Sequence, residues 1–446
     1  MNTPIVNFVE RYAASRPSRF HMPGHKGVPF LGCEPLDLTE INGADVLYSA
    51  DGIIAESESN ASMLFGTAHS FYSTEGSSLV IRAMLALVSE GRGSERPLIL
   101  ASRNIHRTFI SAAALLDLDV KWMYGDDDAH LCTCRVSAEQ VEEAIRTAVR
   151  RPAAVYLTSP DYLGQTADIR GIAAVCKAHG IPLLVDNAHG AYLRFLENDT
   201  HPITLGATMC CDSAHKTLPV LTGGAYLHIA QGADPAYTAE ARRMLSLFAS
   251  TSPSYLILQS LDLANRYLAD RFREDLKLTV ERVGKATESI AAYGFHLDAA
   301  EPMKLVLNAA AHGYTGEEIA EHLRRFSVEA EFADGEYLVL MASPQNSDED
   351  FSRLVLAFAS LTPRTPLTVL PDTVDRDHTS RLSIREAMLG RQERIPAENS
   401  EGRICATPTV SCPPAVPVVI CGEQITKKDV DRFRRYGVTE VSVIRE

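Results

Sequence analysis

The sequence has no C-x-x-C pair, no apolar run of membrane-spanning length and no excess of basic residues. Each absence removes a class of function. The nine cysteines are scattered, an odd number cannot all pair within one chain, and their spacing matches no zinc ligand set. They read as reduced thiols, and no metal is expected. A membrane helix needs about 20 consecutive apolar residues, and none occurs. The opening MNTPIVNFVERYAASRPSRF carries charge throughout, so no signal peptide is expected there and the protein is expected in the cytoplasm. A formal charge of −14 argues against nucleic acid or an anionic membrane surface as a partner. No internal repeat or low-complexity tract stands out.

What is present is an ordinary globular balance, 46% hydrophobic and 22% charged over 446 residues, enough for two or three domains. A weak helical pattern at 5–15 precedes RFHMPGHKGVPF (19–30), whose His21, His25 and Lys26 are either ligands or part of a surface loop. A connector and helix occupy 37–65. STEGSS (73–78) runs into an apolar-periodic helix, which makes either an anion cradle or simply a serine-capped helix start. From 97 onward strands (97–102, 119–124, 153–160, 181–189) alternate with helices (106–116, 137–150, 169–179). That alternation predicts an α/β fold with a mainly parallel sheet flanked by helices. A long helical stretch (252–294) leads to a smaller αβ unit (303–361), a linker (362–378) and a C-terminal segment. The expected division is an N-terminal arm (1–55), a large domain (56–295), a small αβ domain (296–362) and a C-terminal segment (363–446).

The chemistry concentrates in DSAHKTLPVLTGGAYLH (212–228). Lysine amines form Schiff bases with carbonyls, and Lys216 stands beside Ser213 and His215, ahead of the apolar stretch 225–230. Pyridoxal phosphate (PLP) is one reading; a solvated turn before a strand is the other. PLP chemistry also needs an acid against the pyridine nitrogen and a flat group over the ring. Asp186 ends a strand where parallel sheets bind ligands, and His106 lies in a strand-end turn. Ala188 is small enough for the opposite face. Ser77 and Ser78 at the helix start, with Ser213 and His215, are donors for a phosphate.

The constellation resembles the Orn/Lys/Arg decarboxylase family, bacterial fold-type I PLP enzymes acting on basic amino acids. The resemblance rests on RFHMPGHKG, DLTEINGADVLYSADGIIAESE (37–58), STEGSS, SRNIHRTF, LTSPDYLG, VDNAHGAY, SAHKTLPVLT, TSPSYLILQSLD and PPAVPVVICGEQIT. It implies that Lys216 holds PLP as an imine, Asp186 pairs with the ring nitrogen, His106 stacks on the ring, and Ser77, Ser78, Ser213 and His215 hold the phosphate. His189 then lies beside the cofactor and takes part in proton transfer. The implied reaction is decarboxylation of lysine, arginine or ornithine by a homodimer or higher homo-oligomer with shared active sites. The sequence departs from the family pattern at Glu75, Asn187 (usually acidic), Gly223 (commonly Gln), Thr407 (a glutamate facing a cationic substrate), Cys412 (a tyrosine) and Ala415 (a glycine). Two alternatives therefore stay open. One is an aminotransferase or other amino-acid lyase, with Arg381, Arg385, Arg391 or Arg394 gripping the carboxylate. The other is a catalytically degenerate binding protein.

Overall fold

The computed structural model describes all residues except 92–94, 126–129, 299–300, 370–371, 373–375, 377, 409–414 and 446. The first part of the chain forms α1 (Pro4–Ala14), α2 (Ile53–Phe65), β1 (Thr67–Ser73), α3 (Gly76–Ser89), β2 (Leu98–Ser102), α4 (Arg107–Leu116), β3 (Asp119–Met123), α5 (Ala138–Arg146), β4 (Ala154–Thr158) and α6 (Ile169–Ala178). Next come β5 (Leu183–Asp186), α7 (Pro202–Leu205), β6 (Met209–Asp212), α8 (Ala214–Thr217), β7 (Ala225–Ala230), α9 (Pro235–Phe248), α10 (Tyr255–Asp270) and α11 (Phe272–Ala291). Last are β8 (Leu297–Asp298), β9 (Lys304–Asn308), α12 (Gly316–Arg324), β10 (Phe332–Ala333), β11 (Tyr337–Met341), α13 (Asp348–Ala359), α14 (Ile384–Leu389), β12 (Gln392–Pro396), β13 (Cys405–Thr407), α15 (Lys427–Arg435) and β14 (Glu440–Ile444). No helix among the described residues is long and apolar enough to cross a membrane. The chain forms two compact units, Met1–Glu90 with Pro182–Glu274, and Gly91–Ile181 with Asp275–Glu446.

In the first unit the strands lie in the order β1, β7, β6, β5. β5 and β6 are parallel, with Asp186 opposite Cys211, while β7 runs antiparallel to both β6 and β1. Every residue of β5 and β6 is buried, as expected for strands covered on both faces. α3 packs nine buried residues from Leu79 to Val88. The first turn of α1 has no side-chain cap; instead the Asp262 carboxylate accepts the Ile5 and Val6 N–H groups at 3.0 and 3.1 Å, satisfying donors that a helix start leaves over. The expected strand at 181–189 stops at Asp186, and residues 187–190 turn.

The second unit holds β2 between β3 and β4, all parallel. It also holds a sheet ordered β10-β11-β9-β8 and a three-stranded sheet ordered β12-β14-β13. Arg103, from the SRNIHRTF motif, is buried and donates to the Pro417 and Val418 carbonyls at 3.2 and 3.1 Å and to Glu423 at 3.4 Å. One motif thus anchors the C-terminal segment. A second buried cluster lies where Lys304 donates to the Asp161 carbonyl at 2.8 Å, 3.4 Å from the Glu301 carboxylate. Burial pushes the Asp161 carboxyl up to about 6 and the Glu301 carboxyl up to about 7.

Candidate active site

Parallel strands deliver the chain segments that follow them to the same sheet end. After β5 comes the turn Asn187-Ala188-His189-Gly190; after β6 come Ser213 and the single turn α8 that carries Lys216. The two turns meet. Lys216 Nζ lies 2.8 Å from His189 Nε2. His189 is buried and Lys216 is exposed as a residue, and the contact between the amine and the imidazole is half-buried. Asp186 is 3% exposed. Its Oδ1 accepts the Ala188 N–H at 3.2 Å and the Cys211 S–H at 3.3 Å, two donors that fix the carboxylate plane.

The STEGSS segment arrives from α3. That helix starts at Gly76, which has φ +71° and donates its N–H to the Gly223 carbonyl at 2.7 Å. No side chain caps the N-terminus of α3. Ser77 and Ser78 sit in its first turn, and the Ser213 hydroxyl donates to Ser77 Oγ at 2.9 Å. His215 is held through its backbone N–H and Nδ1, both on the Gly224 carbonyl at 3.2 and 3.0 Å. Burial lowers its pKa below the ordinary imidazole value, which keeps the ring neutral. A helix start whose N-cap side chain makes no cap bond, with hydroxyls in its first turn, is electrostatically suited to an anion.

The first unit therefore gathers Ser77, Ser78, Asp186, Ala188, His189, Ser213, His215 and Lys216. His106 belongs to the second unit, where it caps α4; its Nδ1 accepts the Thr108 N–H at 3.2 Å.

The departures have local causes where the structure describes them. Glu75 turns its carboxylate to the Ser250 N–H at 2.7 Å. Gly223 has φ +99°, and a Cβ there would stand 2.9 Å from the Thr74 carbonyl, so glutamine does not fit this backbone. The Thr407 hydroxyl donates to Gln392 Oε1 at 2.7 Å. Ala415 takes φ +58°, left-handed backbone that costs a Cβ-bearing residue roughly 1–2 kcal/mol. Cys412 lies outside the described residues.

Sequence reasoning missed a buried network behind the site. Asp212 accepts His201 Nε2–H at 3.0 Å and His228 Nε2–H at 3.2 Å on one oxygen, and Asn187 Nδ2–H at 2.6 Å on the other. Burial works against the Asp212 charge, but the two imidazoles hold its carboxyl far below the usual carboxylate range. His201, Cys210 and Asp212 also place ligand atoms within 4.8 Å of one another. However, His201 Nδ1 accepts the Ile203 N–H at 3.4 Å, so its Nε2 carries the proton that Asp212 receives and offers no lone pair. The cluster is a hydrogen-bond network. The only sequence signal for it was polar residues interrupting apolar strands.

Two family models match the chain: "Orn/Lys/Arg decarboxylase, major domain" over residues 3–310 and "Orn/Lys/Arg decarboxylase, C-terminal domain" over 371–436. An arginine decarboxylase of Halalkalibacterium halodurans is 29% identical over 465 residues, spanning 97% of this chain and 93% of that protein. Among solved structures, the constitutive lysine decarboxylase of E. coli superposes with a TM-score of 0.79 at 16% identity, covering 100% of this chain and 82% of that one. A Sphingomonas wittichii serine palmitoyltransferase gives 0.56 at 15% identity, covering 79% and 82%. These neighbours show the fold to be that of fold-type I PLP enzymes, α/β with a mainly parallel sheet and a smaller C-terminal sheet region, as expected from the sequence.

Proposed function

The chain belongs to the Orn/Lys/Arg decarboxylase family, and on that premise we propose that it converts arginine, lysine or ornithine to the corresponding amine and CO2 with PLP as cofactor. It is an amino-acid decarboxylase; the substrate and the residue roles are this reading's own. The residues of the first unit fit the cofactor. They offer a lysine amine, a buried carboxylate and an uncapped helix start bearing serines, each a match to one part of PLP.

When bound, PLP supplies an electron sink for the pair left behind by CO2. The chain's own residues do the rest. Lys216 would hold the cofactor through Nζ. Ser77, Ser78, Ser213 and the α3 N-terminus would supply donors to its phosphate, and His215 is assigned to the same group on the family's pattern. Asp186, its Oδ1 held by two donors, answers the positive charge of a protonated ring nitrogen. Ala188 would leave room for the ring, and on the family's pattern alone His106 would stack on it. His189 receives or returns a proton at Lys216 Nζ across 2.8 Å; this contact is the observation that carries the reading.

The assembly we propose is a homodimer or higher homo-oligomer in the cytoplasm, with the four-segment division 1–55, 56–295, 296–362 and 363–446. The N-terminal loop supports self-association: Phe20, Phe30 and Leu31 are 97%, 82% and 91% exposed. The loop itself is held by the Arg19 guanidinium, which donates to the Pro35 carbonyl at 2.7 Å. Large apolar groups on a fastened segment fit an interface.

An aminotransferase would need an arginine for the substrate carboxylate. Three of the four available are engaged: Arg381 by Gln424, Arg385 by the Ala114 and Leu115 carbonyls, and Arg394 by Glu440. Thr407, engaged by Gln392, is the observation that favours a substrate other than a basic amino acid. The deciding experiment incubates PLP-loaded protein with carboxyl-labelled arginine, lysine and ornithine. Labelled CO2 with matching amine is expected from at least one. A keto acid without CO2 would establish transamination, and neither product from any of the three would sink the proposal.

A further inference from the structure

Asn187 is fixed on four sides. Its N–H donates to the Cys211 carbonyl at 3.0 Å, extending the β5–β6 pairing by one residue. Its carbonyl accepts the Gly190 N–H at 2.8 Å. Its carboxamide donates to Asp212 at 2.6 Å. It also occupies the space a side chain on residue 190 would need, because a Cβ there would stand 2.0 Å from Asn187 Oδ1. Asn187 is fully buried, as is Asp212. Behind Asp212 stand His201 and His228, and His228 Nδ1 is bonded in turn to Ser70 Oγ at 2.7 Å. One end of this chain of contacts is the turn bearing Asp186, Ala188 and His189. The other is the strand end that continues directly into Ser213 and Lys216.

We infer that the Asn187–Asp212 hydrogen bond, braced by His201 and His228, is the positioning element that sets the distance between the Asp186–His189 turn and the Lys216 turn. Both residues act through their neighbours, since neither is itself assigned to the cofactor. The pairing also accounts for the departure at position 187. An acidic residue there would put a second carboxylate against Asp212 where both side chains are fully buried, and like charges repel strongly in such surroundings. An amide beside Asp212 is a donor beside an acceptor. The two positions form a matched pair.

The inference rests on the PLP reading, and the test separates the two. Wild type, N187D, D212N and the swap N187D/D212N are titrated with PLP, following the visible absorption band and the pH at which that band changes. In N187D the cofactor dissociation constant should rise about tenfold or more, the scale of losing a hydrogen bond to a charged group, and the pH midpoint of the band should move. The swap exchanges the two groups and restores a donor facing an acceptor: the amide now stands on β6 and the carboxylate on the turn, and the amide oxygen still accepts the two imidazole N–H groups. It should recover most of the affinity and the wild-type midpoint, which a merely structural loss would not do. D212N adds no charge, so it gives the same reading should N187D fail to fold; affinity and midpoint should both shift. Wild-type affinity and midpoint in D212N, or a swap no better than the worse single variant, would overturn the inference. Absence of any band in the wild type would overturn the cofactor reading itself, and this inference with it.

Discussion

Raising the pH from 5 to 8 should weaken the second unit through Asp161 and Glu301. Burial raises both carboxyls, from ordinary values of 3.8 and 4.5 to about 6 and about 7, against the opposing pull of Lys304. A carboxyl whose folded value lies above its unfolded one binds its proton more tightly when folded. Its contribution to stability is complete below the unfolded value and is lost as the pH climbs through the folded one. At pH 5 the linkage relation gives about 1 kcal/mol from Asp161 and about 3 kcal/mol from Glu301, and close to nothing from either at pH 8. The expected fall is therefore about 4 kcal/mol. Glu301→Gln is neutral at every pH and should remove most of it; adding Asp161→Asn should remove the remainder. The assay is the urea midpoint at pH 5, 6, 7 and 8 for wild type, E301Q and the double variant. Groups elsewhere titrate equally in all three proteins, so the differences isolate this pair. A variant whose pH profile runs parallel to that of the wild type would refute the reasoning.

Lys216→Ala should abolish both the visible band of PLP-loaded protein and CO2 release while leaving the melting temperature of the cofactor-free chain within about a degree or two, since an exposed side chain stabilises little. Gly190→Ala drives a methyl group to 2.0 Å from Asn187 Oδ1 and 2.7 Å from Leu193 Cδ1. Overpacking of about 1–3 kcal/mol and the disturbed bond to Asp212 should lower the melting temperature and weaken PLP binding together. Gly223→Ala combines φ +99° with a contact of 2.9 Å to the Thr74 carbonyl. It should cost about 2 kcal/mol or more and loosen the α3 N-terminus, read as a weaker affinity for inorganic phosphate in the cofactor-free protein. Unchanged phosphate affinity would separate the Gly223 turn from the anion site.

Much of the first unit was legible because its apolar runs are pure. LLVD and AYLHIA have nowhere to go but the interior; Asp186 is conspicuous where the first ends, and Lys216 ahead of the second. β1 was not legible. His69, Ser70 and Ser73 make TAHSFYS look like a loop, and only the partner groups explain why it is a strand: Ser70 is buried because its hydroxyl meets His228. Lys304 was hidden for the same reason. A lysine opening a strand reads as a solvated end, yet it lies 1% exposed against Asp161 and Glu301. The Asp212 network joins residues 11 to 25 positions apart, and no local period encodes such a meeting. The departures divide similarly. Gly223 follows from backbone geometry and Asn187 from its partner, and neither cause is visible until the chain has folded.

The first unit is assembled from two stretches of chain with a whole segment between them, and the hydrogen-bonded pair Ser77 and Ser213 stand 136 positions apart. At translation rates of roughly 5–20 residues per second, the serine made first waits about 7 to 27 seconds for the second. A nascent chain halted inside that interval has the helix start but not the amine, and short of residue 186 it lacks the carboxylate as well. On the proposed reading, a truncated product ending near residue 180 would therefore show no saturable visible band at stoichiometric pyridoxal phosphate.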